Sequence, residues 1–370
     1  MDVKPKVIAL YLPQFYPCKE NDKWWGKGFT EWTNVGKAKS LFRGHDQPRV
    51  PTDLGYYDLR LSEVREEQAK MAREAGITAF CYWHYWFGNG RRLLADVFDD
   101  VLNSGKPVFP FCLAWANHPW YAKGWNKDIP DRLLIEQTYP GIEDARRHFE
   151  YLLKAFKDPR YFKVDGKPFI YIFDPITLPQ EYLRNFRKWI KDEGLKDIYA
   201  VANSYDVSKS PQYFREMGYD AVTYGRVVSL WDCEYKAMNS FQKKYNRIGR
   251  IIKQIVTGRP RGARDYQKDY SKFITEEDSL IDVIPEIVPQ WDHSPRSGNK
   301  AATIYYNSTP EYFYYHVREA LKAVEKKPEV YQLLILKSWN EWGEGNYMEP
   351  DLTNGRGYID ALKKALSEVK

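Results

Sequence analysis

The sequence predicts an α/β protein, specifically a (β/α)8 TIM barrel with long loop insertions after its first and sixth strands. Three observations predict it. Eight short apolar, β-rich runs recur along the chain, amphipathic helical stretches separate most of them, and the runs are nearly continuous hydrophobics rather than alternating ones. Continuous apolar runs suit parallel strands buried on both faces, and strand–helix alternation is what a parallel sheet needs for its crossovers. A doubly wound open sheet would share the same local pattern and is the rival arrangement.

The runs fall at residues 7–12, 77–83, 107–114, 168–173, 198–203, 219–224, 284–290 and 332–337. Between them the helices carry their own punctuation. In 93–104, Leu94, Val97, Phe98, Val101 and Leu102 repeat at helical spacing before Gly105 and Pro107 end the run. The stretch 179–193 stops at Gly194, and Thr309 with Pro310 supplies a cap and a first helical position for 311–326. Two connections exceed ordinary loop length. Residues 13–57 follow the first strand and are dense in aromatic and polar side chains; residues 226–282 separate the sixth and seventh strands. Long insertions after barrel strands usually shape the catalytic face. Within 236–272, eleven Lys/Arg face two acids, Asp265 and Asp269, so this insertion is suited to an anionic glycan, a lipid headgroup, a partner, or plain solvation. No repeat, low-complexity tract or linker divides the chain, and residues 1–370 are expected to form a single catalytic domain with 226–282 inserted in it.

Composition narrows the ligand. Thirteen Trp, 29 Tyr and 18 Phe make 16% of the chain, many beside Asn, Gln, Asp or Glu. Aromatic faces stack on sugar faces while amides and carboxylates bind hydroxyls, which points to carbohydrate; an aromatic-rich core is the alternative. A net charge of +6 over 370 residues gives no argument for nucleic acid. No run is long and apolar enough for a membrane span, and the first residues lack the apolar core of a secretory signal. Four cysteines without CxxC spacing fit a reduced, cytoplasmic protein, or a periplasmic or secreted one if a leader has been removed.

Six of the eight strand exits combine aromatic and polar residues. These include Trp83-His84-Tyr85 after the second strand, Trp115 and Asn117 after the third, Asn203 after the fifth, Trp291 after the seventh, and Trp339-Asn340-Glu341-Trp342-Gly343-Glu344 after the eighth. Barrel enzymes assemble their sites from strand C-terminal ends, so these groups are expected to line one mouth. Glycosyl chemistry uses two carboxyls about the anomeric centre, one to protonate the leaving oxygen and one to assist attack. Glu341 and Glu344 are the candidates, with Gly343 and Gly345 permitting the turn that brings both to the mouth. Two solvated surface glutamates are the bland alternative. GxSxG, GxxxxGK[ST] and GxGxxG signatures are absent. His84, His118 and His293 stand at strand exits and leave a metal centre open, although sugar hydrogen bonding is preferred; no metal and no cofactor is expected.

Several stretches resemble the WbsX-type proteins, also described as glycoside hydrolase family 99-like domains. They are Tyr11-Leu12-Pro13-Gln14-Phe15, the run from Trp24-Trp25-Gly26 through Glu31-Trp32-Thr33-Asn34-Val35, Gln47-Pro48-Arg49, Phe80-Cys81-Tyr82-Trp83-His84-Tyr85-Trp86-Phe87, Phe111-Cys112-Leu113-Ala114-Trp115-Ala116-Asn117, and Trp339-Asn340-Glu341-Trp342-Gly343-Glu344-Gly345. The last also resembles the catalytic stretch of the family 99 endo-mannosidases. The resemblance implies a (β/α)8 barrel, action on a polysaccharide, and net retention through a 1,2-anhydro sugar. Glu341 would deprotonate the sugar 2-hydroxyl and Glu344 would protonate the departing oxygen. It adds Tyr11, Gln14, Glu31 and Trp32 to the expected sugar contacts, alongside Trp83, His84, Tyr85, Trp115, Asn117, Asn203, Trp291, Trp339, Asn340 and Trp342. A glycoside hydrolase acting within a glycan is the first reading; a glycosyltransferase-type enzyme of surface-polysaccharide biosynthesis, as WbsX-type proteins have also been labelled, and a non-catalytic glycan-binding barrel are the alternatives, and the chain shows no DxD motif placed after a strand.

Overall fold

Eight parallel strands close into a barrel. The computed structural model describes residues 4–122 and 131–369. The strands are β1 (Lys6–Tyr11), β2 (Ala79–Trp86), β3 (Phe111–Trp115), β4 (Lys167–Ile172), β5 (Tyr199–Ser204), β6 (Ala221–Tyr224), β7 (Glu286–Ile287) and β8 (Leu333–Leu336). Hydrogen bonds link them in the order β6-β5-β4-β3-β2-β1-β8-β7, every pair parallel. The ring closes where Val222 of β6 pairs with Val283, just ahead of β7. An open doubly wound sheet would have left two edges there; this one has none. Val, Ile, Leu and Phe fill the strands because both faces are covered, and their side chains are almost entirely buried.

Helices cover the outside: α3 (Ser62–Ala75), α4 (Asp96–Ser104), α5 (Ile142–Phe156), α6 (Gln180–Asp192), α7 (Pro211–Glu216), α12 (Pro310–Val324) and α13 (Gly357–Ser367). Thr309 caps α12 by accepting from the Tyr312 backbone N–H, with Pro310 at its first position. The helix expected from residue 93 begins at Asp96 instead. Arg92–Leu93 pairs back onto Trp86 and Tyr85 as a short antiparallel strand, and Leu94 turns with φ +51°. The periodic apolar spacing there counted residues that belong to the hairpin. β2 runs past the expected residue 83 to Trp86, which decides the orientation of several candidate groups.

The two insertions lie where the sequence puts them. The first holds α1 (Lys19–Trp25) and α2 (Glu31–Lys37); the second holds α8 (Arg226–Ala237), α9 (Ser240–Thr257) and α10 (Tyr266–Asp269). After β7 comes one short turn of helix, α11 (Ser294–Ser297). Among the described residues no helix is long and apolar enough to cross a membrane.

Candidate active site

The polypeptide leaving β8 turns at once. Asn340–Glu341 and Asn346–Tyr347 pair as a two-residue ribbon, and a single 3-10 turn over Trp342–Glu344 lies between them. Gly345 ends that turn at φ +54°, a conformation open to glycine, with Asp292 packed where a Cβ would go. The Asn340 side chain ties this loop to the exit of β1, accepting from Leu12 N at 2.8 Å and donating to Leu12 O at 3.0 Å. Glu341 and Glu344 are thereby held at the C-terminal mouth of the barrel.

Both carboxyls meet one guanidinium. Arg296, from α11, donates through Nη2 to Glu341 Oε1, through Nη1 to Glu344 Oε1 at 2.6 Å, and through Nε to Glu31 Oε2 at 3.1 Å. Glu31 is the first residue of α2, whose cap Thr30 accepts from Trp32 N. His293 Nε2 stands 3.5 Å from Glu344 Oε1, and its Nδ1 meets Ser297 Oγ at 2.6 Å. Three carboxylates thus share one arginine. Burial pushes the Glu341 carboxyl up to about 8, with Glu344 and Glu31 adding to the rise and Arg296 opposing it. Burial also acts on Glu344, but Arg296, His293 and Lys337 outweigh it and hold that carboxyl down at about 2. The opposite shifts make Glu341 the member of the pair that favours the proton. Burial raises the Tyr85 hydroxyl as well, and Glu341 adds to the rise.

Beneath this cluster Lys337 Nζ bonds Glu286 Oε2 at 2.9 Å, both side chains buried. Beside it, Asp292 collects donors. His45 Nε2 lies at 2.8 Å and Gln47 Nε2 at 2.7 Å from Oδ2, and Ser294 N donates to Oδ1. His45 Nδ1 accepts from Leu41 N, so the hydrogen sits on Nε2 and points at Asp292. Burial raises the Asp292 carboxyl, but the His45 bond, the nearby Arg49 guanidinium and the Gln47 bond outweigh it and hold that carboxyl well below the usual carboxylate range.

Of the residues expected at the mouth, Glu31, Tyr85, Glu341 and Glu344 come together. Trp83 points into the barrel, half-buried and edge-on to Tyr171 and Phe173. Asn203 lies lower, accepting from Tyr171 OH at 2.8 Å and donating to Phe173 O at 3.0 Å. Gln14 is half-buried and its carbonyl accepts from Glu31 N; Trp32 is half-buried, its Nε1 donating to Tyr57 O at 2.7 Å.

The others turn away from the mouth. Side chains alternate along a strand, so His84, next to inward Trp83, faces α5 and meets His148 Nε2 at 2.8 Å. Tyr11 and Trp115 point outward too: the Tyr11 hydroxyl donates to Gln68 of α3, and Trp115 packs on His148 and Tyr182. Trp339 and Trp342 are fully buried, their indole N–H groups both donating to Glu349, at 3.0 and 2.7 Å. Trp291 is buried with Val227, Tyr266, Phe273, Val288 and Tyr305. Asn117 staples the β3 and β4 exits through Asp174, and Asn340 clamps Leu12 as described. The expectation that the tryptophans form a stacking wall is therefore corrected for Trp115, Trp291, Trp339 and Trp342, which build the walls from behind. His84, His118 and His293 do not converge; His118 lies against Phe173 and Pro119. Among the described residues no group of three His, Cys, Asp or Glu is arranged to hold a metal ion. Sequence reasoning missed Arg296, whose only signal is its place a few residues past the seventh strand.

The Glycosyltransferase WbsX family model matches residues 7–362. The chain belongs to the WbsX family. It is 32% identical over 365 residues to WxcX of Xanthomonas campestris pv. campestris, a protein described as uncharacterized, in two strains; the match covers 98% of this chain. The chain spans about half the length of these curated relatives, 50% of each. Among solved structures, one described as a glycoside hydrolase-like protein superposes with TM-score 0.61 at 15% identity, covering 99% of this chain and 95% of that one. The GH99 endo-α-mannosidase from Bacteroides thetaiotaomicron, in complex with bis-tris-propane, superposes with TM-score 0.60 at 13% identity, covering 98% and 97%. This WbsX-family chain thus shares the barrel fold of those proteins.

Proposed function

We propose that this WbsX-family chain is a retaining glycoside hydrolase, cutting within a glycan or surface polysaccharide, with Glu341 and Glu344 as its working carboxyls. The observation that carries the reading is their pairing on one arginine at the C-terminal mouth of the barrel, with opposite shifts in acidity. The likeness in fold to an endo-α-mannosidase supports the endo mode. Residues 1–370 are read as one catalytic unit.

Arg296 fills the gap between the carboxyls, where a sugar ring has to sit. Glu344 is the more exposed partner, with 22% of its side chain accessible against 10% for Glu341. An arriving ring breaks the Glu344 bond first and leaves Arg296 on Glu31 and Glu341. Losing the cation raises Glu344, while the retained cation favours ionised Glu341, so the proton changes carboxyl. Ionised Glu341 then takes the 2-hydroxyl proton, the freed oxygen attacks the anomeric carbon, and Glu344 gives its proton to the departing glycosidic oxygen. Glu344 next removes a proton from water, which opens the 1,2-anhydro ring at the anomeric carbon, and Glu341 returns its proton to the 2-oxygen. Two inversions give retention.

Leaving-group chemistry tests these roles. With a glycosyl fluoride or nitrophenyl glycoside, Glu344→Gln should recover much of the first step, whereas Glu341→Gln should stay impaired on good and poor leaving groups alike. Recovery by Glu341→Gln instead would invert the assignment. The family's description as a glycosyltransferase favours a second reading, transfer to a sugar hydroxyl in place of water. An absolute requirement for a carbohydrate acceptor or an activated donor would select it.

A further inference from the structure

Helix α9 is built inside out. Phe241, Tyr245, Ile248, Ile252 and Ile255 recur at helical spacing and form one stripe, all exposed, Ile255 at 76%. No residue of the helix is buried. Its polar face is the one turned to the protein. Arg250 lies over the Trp231 ring at 3.8 Å and donates to the Arg261 carbonyl. Asn246, Arg250 and Lys253 line a cavity of about 290 Å³ between the helix and the body. A helix packed on a globular protein in water has the opposite arrangement, so this apolar stripe is suited to an environment other than water.

Charge selects that environment. Between Ser240 and Thr257 stand Lys243, Lys244, Arg247, Arg250 and Lys253, with no Asp or Glu. Pairing the stripe with that of a second copy would bring two wholly cationic helices together, whereas an anionic surface gains from the exposed cations Lys244 and Arg247. Long basic side chains flanking an apolar stripe reach up to headgroups while the stripe enters the acyl boundary.

We propose that α9 lies in the plane of an anionic lipid bilayer and holds the protein to it as a peripheral anchor. The appendage leaves the barrel at the C-terminal end of β6, the end that carries Glu341 and Glu344, so the anchor sits on the side of the mouth.

Vesicle flotation tests this without reference to turnover. The intact chain should float with phosphatidylcholine vesicles containing phosphatidylglycerol, float far less with phosphatidylcholine alone, and lose binding as salt rises. Ile252→Glu with Ile255→Glu should lower binding roughly tenfold or more while leaving the thermal melt unchanged, since both side chains are exposed. Lys244→Glu with Arg247→Glu should weaken binding to the anionic vesicles only. Three outcomes would overturn the proposal: no flotation with anionic vesicles, flotation that the isoleucine changes leave intact, or a dimer in sedimentation equilibrium that those changes dissolve in a protein that ignores vesicles.

Discussion

A Cβ at position 343 would lie 1.9 Å from Glu31 Oε2 and 2.9 Å from Arg296 Nε, so the second of the two residues between the glutamates is glycine for want of room. The sequence made Gly343 look like a residue that permits the turn; its backbone needs no left-handed angle, and the constraint is the closeness of the carboxylate clamp. The same crowding sets a pH dependence. Glu341 is raised in the folded chain from 4.5 to about 8, so its proton stabilises the fold fully below about 4.5, and that contribution disappears as pH rises through about 8. The melting temperature of the wild type should accordingly fall across that window. Glu341→Gln, which imitates the protonated form, should flatten the fall; a variant whose melting curve tracks the wild type at every pH would contradict the assignment of the proton to Glu341.

Among elements, the segment after β7 carries the most responsibility in the shortest length. Asp292 receives His45 and Gln47 from the first insertion and Ser294 from its own turn, and its backbone N–H donates to Glu344 O at 2.7 Å. It joins the loop bearing Glu344 to the loop bearing Arg296. Asp292→Ala strands three buried donors and should cost about 2–4 kcal/mol, read as a lower denaturation midpoint at unchanged m-value. A midpoint within experimental scatter of the wild type would show that the donors find other partners. This segment was also the least legible in the sequence. β7 forms over two residues where seven were expected, and nothing in the spacing of Gln290-Trp291-Asp292-His293-Ser294-Pro295-Arg296 marks the last residue as the clamp. Strand exits were legible as positions, not as directions. His84, Tyr11 and Trp115 were placed in the right tier of the barrel but point outward, because each lies within a strand, on β2, β1 and β3, where alternation decides the face. The buried indoles of Trp339 and Trp342 answer to Glu349, ten and seven residues on, an acceptor that the aromatic pattern did not announce.

At the scale of the molecule, the barrel was readable because continuous apolar strands and amphipathic helices repeat a consistent local rule eight times, and closure follows from it. The insertions were readable as excess length and as composition, aromatic and polar in the first and basic in the second. The first nevertheless supplies Glu31, His45 and Gln47, and the second supplies α9, whose apolar residues recur at helical spacing. The proposed cleavage of a glycosidic bond at the mouth built by these pieces depends on Glu341 and Glu344. Its most direct test is the rate of reducing-end release from a panel of bacterial surface polysaccharides by wild type, Glu341→Gln and Glu344→Gln, each shown to be folded. Turnover by the wild type is expected, with losses of about 10²–10⁴-fold in each variant on the natural linkage. Full turnover by both variants on a polysaccharide that the wild type cleaves would contradict it.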